Sequence, residues 1–195
     1  MRDAPLVPPA EPERQDELSF EIRSRLLRER IVLIGGRLDE PAASLVIAQI
    51  LHLEAEDPDR PISLNINSPE GSADSGLAVH DVIQSVRPPI STTCIGAAMG
   101  VAALLLAAGG PGRRAAMPNA RIRIQHAAAA LGGTSVDIAT QADEILGVHR
   151  RIEELLAQYT RQPVELIHSD IERTRAFTAQ EAIEYGLIDR IVESR

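Results

Sequence analysis

The run from Ile90 to Gly109, Ile-Ser-Thr-Thr-Cys-Ile-Gly-Ala-Ala-Met-Gly-Val-Ala-Ala-Leu-Leu-Leu-Ala-Ala-Gly, constrains this chain more than any other stretch. It opens with β-branched residues and closes on small residues and leucines. The pattern predicts a buried strand, a turn at Gly96 and a buried helix. A strand that breaks sharply into a helix has the layout of a nucleophile elbow, where helix N-terminal N–H groups favour a developing negative charge. The expected turn carries no nucleophile, since only Ala, Met, Gly and Val stand between Gly96 and Leu104.

A chain of 195 residues with 44% hydrophobic content can build one well-packed core and is short for two, so one domain is expected. The net charge of −8 opposes a general nucleic-acid surface, which needs clustered cations. All 20 basic residues are Arg, which removes lysine as a Schiff-base former or general base. The single cysteine, Cys94, excludes a disulfide within the chain and is expected as a buried thiol in a reducing cytoplasm. His52, His80, His126, His149 and His168 share no ligand spacing, so neither a metal nor another cofactor is expected. Met1 to Gln15 holds four prolines and no apolar core, so residues 1–16 are expected as a flexible Pro-rich tail and not as a signal peptide. The longest apolar run, Val101 to Ala108, is far below the roughly 20 residues that span a bilayer, so no membrane contact is expected.

Along the chain, helical spacing of Leu18, Ile22, Leu26 and Leu27 leads into the apolar strand Ile31 to Ile34. Asp39-Glu40-Pro41 starts a second helix, and Ile62 to Asn67 alternates with period two before the turn Ser68-Pro-Glu-Gly71. Ser72 is placed to cap the helix carrying Leu77, Val79, Val82 and Ile83. After the central stretch come strands at Arg114 to Met117 and Arg121 to Gln125, then a long helix from about Ser135 to Tyr159. A short helix from Pro163 through Ile167, another from Ala179 to Tyr185 and a strand from Asp189 to Val192 complete a repeated β-α-β pattern, an α/β protein.

Seven segments follow one another in order: Ser-Arg-Leu-Leu-Arg-Glu-Arg-Ile (24–31), Ile-Asn-Ser-Pro-Glu-Gly-Ser (66–72), Thr-Cys-Ile-Gly (93–96), Leu-Leu-Ala-Ala-Gly (105–109), Met-Pro-Asn-Ala (117–120), Glu-Ile-Leu (144–146) and Glu-Tyr-Gly-Leu-Ile-Asp (184–189). Together they are similar to the proteolytic subunit of the ATP-dependent Clp protease. The resemblance implies a crotonase-like ββα spiral domain over residues 17–195 with a projecting handle helix and strand at about 127–160. It further implies seven-membered rings that stack into a degradation chamber, fed by a Clp ATPase and cutting with a Ser-His-Asp triad.

Carried over residue by residue, the family serine falls on Gly100, the histidine on Gln125 and the aspartate on Thr174. None of these can attack, relay a proton or orient a base, so no catalytic residue is expected. His126 is one residue late, and on a strand a shift of one turns a side chain to the opposite face. The resemblance also implies oxyanion N–H groups at Gly71 and Val101, weakened if Glu70 points inward. Ser63 and Asn65 stand where many relatives have tyrosines that receive ATPase loops, whereas Glu172-Arg173 keeps an acid-Arg pair used between rings. These readings predict a ring-forming, non-cleaving subunit that assembles with itself or with active paralogues.

The rival from the same family is an active serine endopeptidase with a displaced triad, drawn from Ser72, Ser75 and Ser91, His80 and His126, and Asp74, Asp81 and Asp137. His80 and Asp81, adjacent on a helix, are expected not to face each other. Cys94 lacks the exposed, cationic setting of a reactive thiol. A crotonase-type acyl-CoA activity would rest on fold alone.

Overall fold

The computed structural model describes residues 21–126 and 135–193, with side chains described at 21–126 and 143–193. The expected tail over 1–16 and the strand part of the expected handle, at 127–134, lie outside the described residues, as does the side chain of Asp137. A helix over 21–28 (α1) precedes β1 (Ile31–Gly35), α2 (Glu40–Glu56), β2 (Ile62–Ser68), α3 (Ala73–Ser85), β3 (Ile90–Met99) and α4 (Val101–Ala107). Then follow β4 (Arg114–Ala116), β5 (Arg121–Arg123), α5 (Ser135–Thr160), α6 (Val164–Glu172), β6 (Ala176–Phe177), α7 (Ala179–Tyr185) and β7 (Arg190–Ile191).

The strands form one sheet in the order β1-β2-β3-β4-β7, with β5 pairing both β3 and β6. All pairings are parallel except β5 with β6. Strand β3 is the hub. Its first half pairs β4 through Thr92, Thr93 and Cys94, and its last residues, Ala97 to Met99, pair β5. Alternation along β2 buries Ile62, Leu64 and Ile66 and leaves Ser63 and Asn65 on the other face. Helix α4 lies wholly inside, every residue from Val101 to Ala107 being buried, and the apolar side chains of Val, Ala and Leu fill that space. Buried Thr92 donates its hydroxyl to the carbonyl of Leu106 at 2.7 Å.

Local sequence explains the element ends. The Asp39 carboxylate accepts from the Ala42 N–H, with Pro41 in the first turn, and Ser72 caps α3 through the Ser75 N–H. Buried Arg30 donates to the carbonyls of Leu53, Asp57, Arg60 and Pro61, which satisfies the C-terminal end of α2 and holds it to β1. Thr178 and Glu181 form a capping box at α7, which ends on left-handed Gly186.

Three expectations need correction. The turn lies at Gly100 and not at Gly96, where the strand continues through a bulge: Ile66 faces Cys94 but Ser68 faces Ala98. A β-carbon on Gly96 would lie 2.5 Å from Oδ1 of Asn67, whose oxygen accepts from the Ala97 N–H, so this glycine makes room for the Asn67 side chain and does not turn the chain. Helix α6 runs past Ile167 to Glu172 because Ile171 is buried one turn beyond Ile167. The strands β4, β5 and β7 are each shorter than their apolar runs suggest.

Candidate functional site

The end of β3, the turn after β2 and the end of β5 meet at one place. Gly100 joins β3 to α4 with φ 58° and ψ −123°, a sparsely populated conformation that costs little only in glycine. Its N–H donates to the Arg123 carbonyl at 2.9 Å, and its carbonyl accepts from Ala103, so the elbow is fixed from both sides. A β-carbon on Gly100 would lie 3.6 Å from Cγ of Gln125 and 4.0 Å from its Nε2. A side chain at 100 would therefore point at the side chain of residue 125.

Thr174 completes the constellation. It follows α6 with φ 53°, and its neighbour Arg175 accepts at its carbonyl from the Ile124 N–H at 3.0 Å, which sets residues 174 and 125 on adjoining backbone. A β-branched residue at positive φ is an outlier that Asn or Asp occupies more easily. The geometry thus brings positions 100, 125 and 174 together, and they hold Gly, Gln and Thr.

The amides beside the elbow remain available. Leu38 bridges this turn by donating to the Glu70 carbonyl and accepting from Ser72, and the Gly71 N–H between them donates to no carbonyl among the described residues. A β-carbon on Gly71 would meet Val101 Cγ1 at 2.9 Å, so the side chain of Val101 packs against the Gly71 backbone. The Val101 N–H likewise has no acceptor among the described residues. Glu70 does not point inward: its carboxylate pairs with Arg37 at 3.2 Å on the exposed surface.

Among the described residues, the displaced serine and histidine candidates have other partners. Ser72 caps α3, Ser75 is buried behind it, and Ser91 donates to the Ile62 carbonyl; none bonds an imidazole. His80 is buried with Nε2 2.7 Å from the Tyr159 hydroxyl. Against expectation its Nδ1 does reach Asp81, at 3.1 Å, because the exposed aspartate folds back along the helix surface. That chain of groups ties α3 to α5 and contains no serine. Burial pushes the Cys94 thiol up to about 11, so it stays protonated and inert, even though a hydrogen bond involving the Gly96 backbone pulls the other way.

His126 has its partners on α5 and α6. Its Nε2 lies 2.9 Å from Glu172 on α6, and its ring stacks on His149 of α5 with centroids 4.4 Å apart. The hydrogen bond and charge of His126 hold the Glu172 carboxyl below its ordinary range. Beside it His168 bonds Glu153 at 3.0 Å, and that bond and charge raise the imidazole above its ordinary value. Sequence spacing gave no sign of this gathering of three histidines and two glutamates, because tertiary packing of α5 on α6 produces it.

An α/β sheet whose central strand breaks into a buried helix through a strained elbow, flanked by two available amides, defines a serine-peptidase-like scaffold. The family model for Clp protease matches residues 14–195. The chain belongs to the Clp protease family, and its mixed α/β sheet agrees with that fold. No helix among the described residues is long and apolar enough to cross a membrane.

Proposed function

We propose that this chain is a non-cleaving subunit of a Clp-type peptidase, a member of ring assemblies that it forms with itself, with active paralogues or with both, and whose ATP-dependent degradation it modulates. The observation that carries this reading is Gly100 at the tip of the elbow, with Gln125 lying where a β-carbon on residue 100 would point. Acyl transfer needs a nucleophile, a base to take its proton and a group to orient that base. Gly offers no atom to attack with, Gln has no proton-accepting nitrogen at neutral pH and Thr carries no charge. Two available amides at Gly71 and Val101 can still receive a carbonyl oxygen, which supports polypeptide binding without cleavage.

Assembly is supported by family membership and by the length of α5, 26 residues in a domain whose other helices are far shorter. The reading takes residues 1–16 as a tail, 17–195 as the domain and the cytoplasm as the compartment, the last resting on a single cysteine that has no second cysteine in the chain to pair with. Hydrolysis of fluorogenic peptides and native mass, each measured with and without a catalytic Clp subunit, test it together. We expect no turnover by the chain alone and a mass many times 21.1 kDa on mixing. Turnover by the chain alone, or a monomer that ignores the catalytic subunit, contradicts it.

A further inference from the structure

Far from the elbow, at the opposite end of β2 and β3, an open groove of about 600 Å³ is lined by Ser63, Ser91, Thr93, Gly112, Arg113 and Arg190, together with Pro111. Register explains the grouping. Ser63 faces Ser91 across β2 and β3, Asn65 faces Thr93, Thr93 faces Ala115, and Ala115 faces Arg190. Ser91 and Gly100 are nine residues apart along β3, about 30 Å at strand rise, so the two places are separate.

The groove is rich in donors and poor in acceptors. Arg113 and Arg190 are both exposed, and neither forms an ion pair among the described residues. Ser91 donates to the Ile62 carbonyl and lies 3.4 Å from the Ser63 oxygen, which leaves the Ser63 proton free to donate outward, and the Thr93 hydroxyl has no hydrogen-bond partner among the described residues. No carboxylate lines the groove among the described residues, although acids outnumber bases 28 to 20 in the chain. Two unpaired guanidiniums and two free hydroxyls want acceptors, and carboxylates supply them in the fork geometry that guanidinium matches.

We propose that this groove docks an acidic peptide segment of a partner protein, its carboxylates bound by Arg113 and Arg190 and its backbone or side-chain oxygens by Ser63 and Thr93. The ligand is thus opposite in chemistry to the apolar loop that tyrosines at 63 and 65 would receive. This inference does not depend on whether the elbow is inactive.

The test is fluorescence anisotropy of the full chain with a labelled hexa-glutamate peptide, beside hexa-glutamine and hexa-leucine peptides of equal length. We expect binding of the acidic peptide only, weakening with added salt. The double variant R113A/R190A should weaken it about tenfold or more, as expected for lost charge-assisted bonds. The variant R121A/R150A, which removes equal charge from two exposed arginines elsewhere, should change it less than about twofold. Thr93→Val provides a milder variant that keeps both charges and should weaken binding by a few-fold. Equal loss in the two double variants would reduce the effect to general charge and overturn the proposal. Preference for the leucine peptide, or full displacement by inorganic phosphate at matched charge concentration, would overturn it too, the latter pointing to a small-anion site.

Discussion

The α-carbon of Gly100 and the side chain of Gln125 face each other so that a β-carbon added to the glycine would stand 3.6 Å from Cγ of the glutamine. Apart from its chain neighbours, the nearest described atoms to that position all belong to Gln125, at 3.6 to 4.0 Å, so they leave room for a serine while its backbone conformation is unfavourable. Gly100→Ser is therefore expected to fold and to cost about 1–3 kcal/mol, a penalty of conformation and not of collision. Urea denaturation checks it; an unchanged or higher stability would mean that φ 58° is no burden to a side chain here.

At Thr174 the same logic runs the other way. A threonine at φ 53° carries strain that asparagine or aspartate tolerates better. Thr174→Asn is expected to raise stability by about 0.5–1 kcal/mol and the Tm by roughly 2 °C, read by calorimetry. A fall in Tm would show that the threonine makes compensating contacts. The backbone at this position suits the acid that the family resemblance places there better than it suits the residue present.

The sequence made much of this legible. Alternation located β2, and capping residues located α2, α3 and α7, because these signals are local. The family motifs pointed to Gly100, Gln125 and Thr174; the fold sets Gln125 beside Gly100 and puts Thr174 on the backbone adjoining it. The bend in β3 was misplaced because Gly96 and Gly100 read alike in one dimension. Only the approach of the Asn67 side chain to one, and the positive φ of the other, separate a bulge from a turn. The pairing of His80 with Asp81 and the stacking of His126 on His149 were invisible for a different reason, since each depends on how a side chain folds back or on helix packing that spacing does not encode.

Arg114 is the clearest tertiary clamp. It binds both oxygens of Asp189, at 3.1 and 2.6 Å, and donates to the carbonyls of Tyr159 and Gly186, joining β4 to the end of α5 and to the turn after α7. Arg114→Ala is expected to cost about 3 kcal/mol, because it strands a partly buried carboxylate and two carbonyls.

The same pair sets a pH dependence. Burial works to raise the Asp189 pKa, but the hydrogen bonds and charge of Arg114 prevail and hold it below 3.8. A depressed folded-state value means a contribution fully present above 3.8 and lost as pH falls through the lower, folded value. Unfolding free energies at about pH 7 and about pH 3 should thus differ more in the wild type than in Asp189→Asn. An equal acid sensitivity in the two would show that other carboxylates carry it.

The claim that the scaffold outlived its cutting groups is tested most directly by intact-protein mass after fluorophosphonate treatment, with the wild type beside G100S/Q125H/T174D. The account predicts no adduct on the wild type and a single adduct at position 100 in the triple variant. An adduct on any serine of the wild-type chain would contradict it.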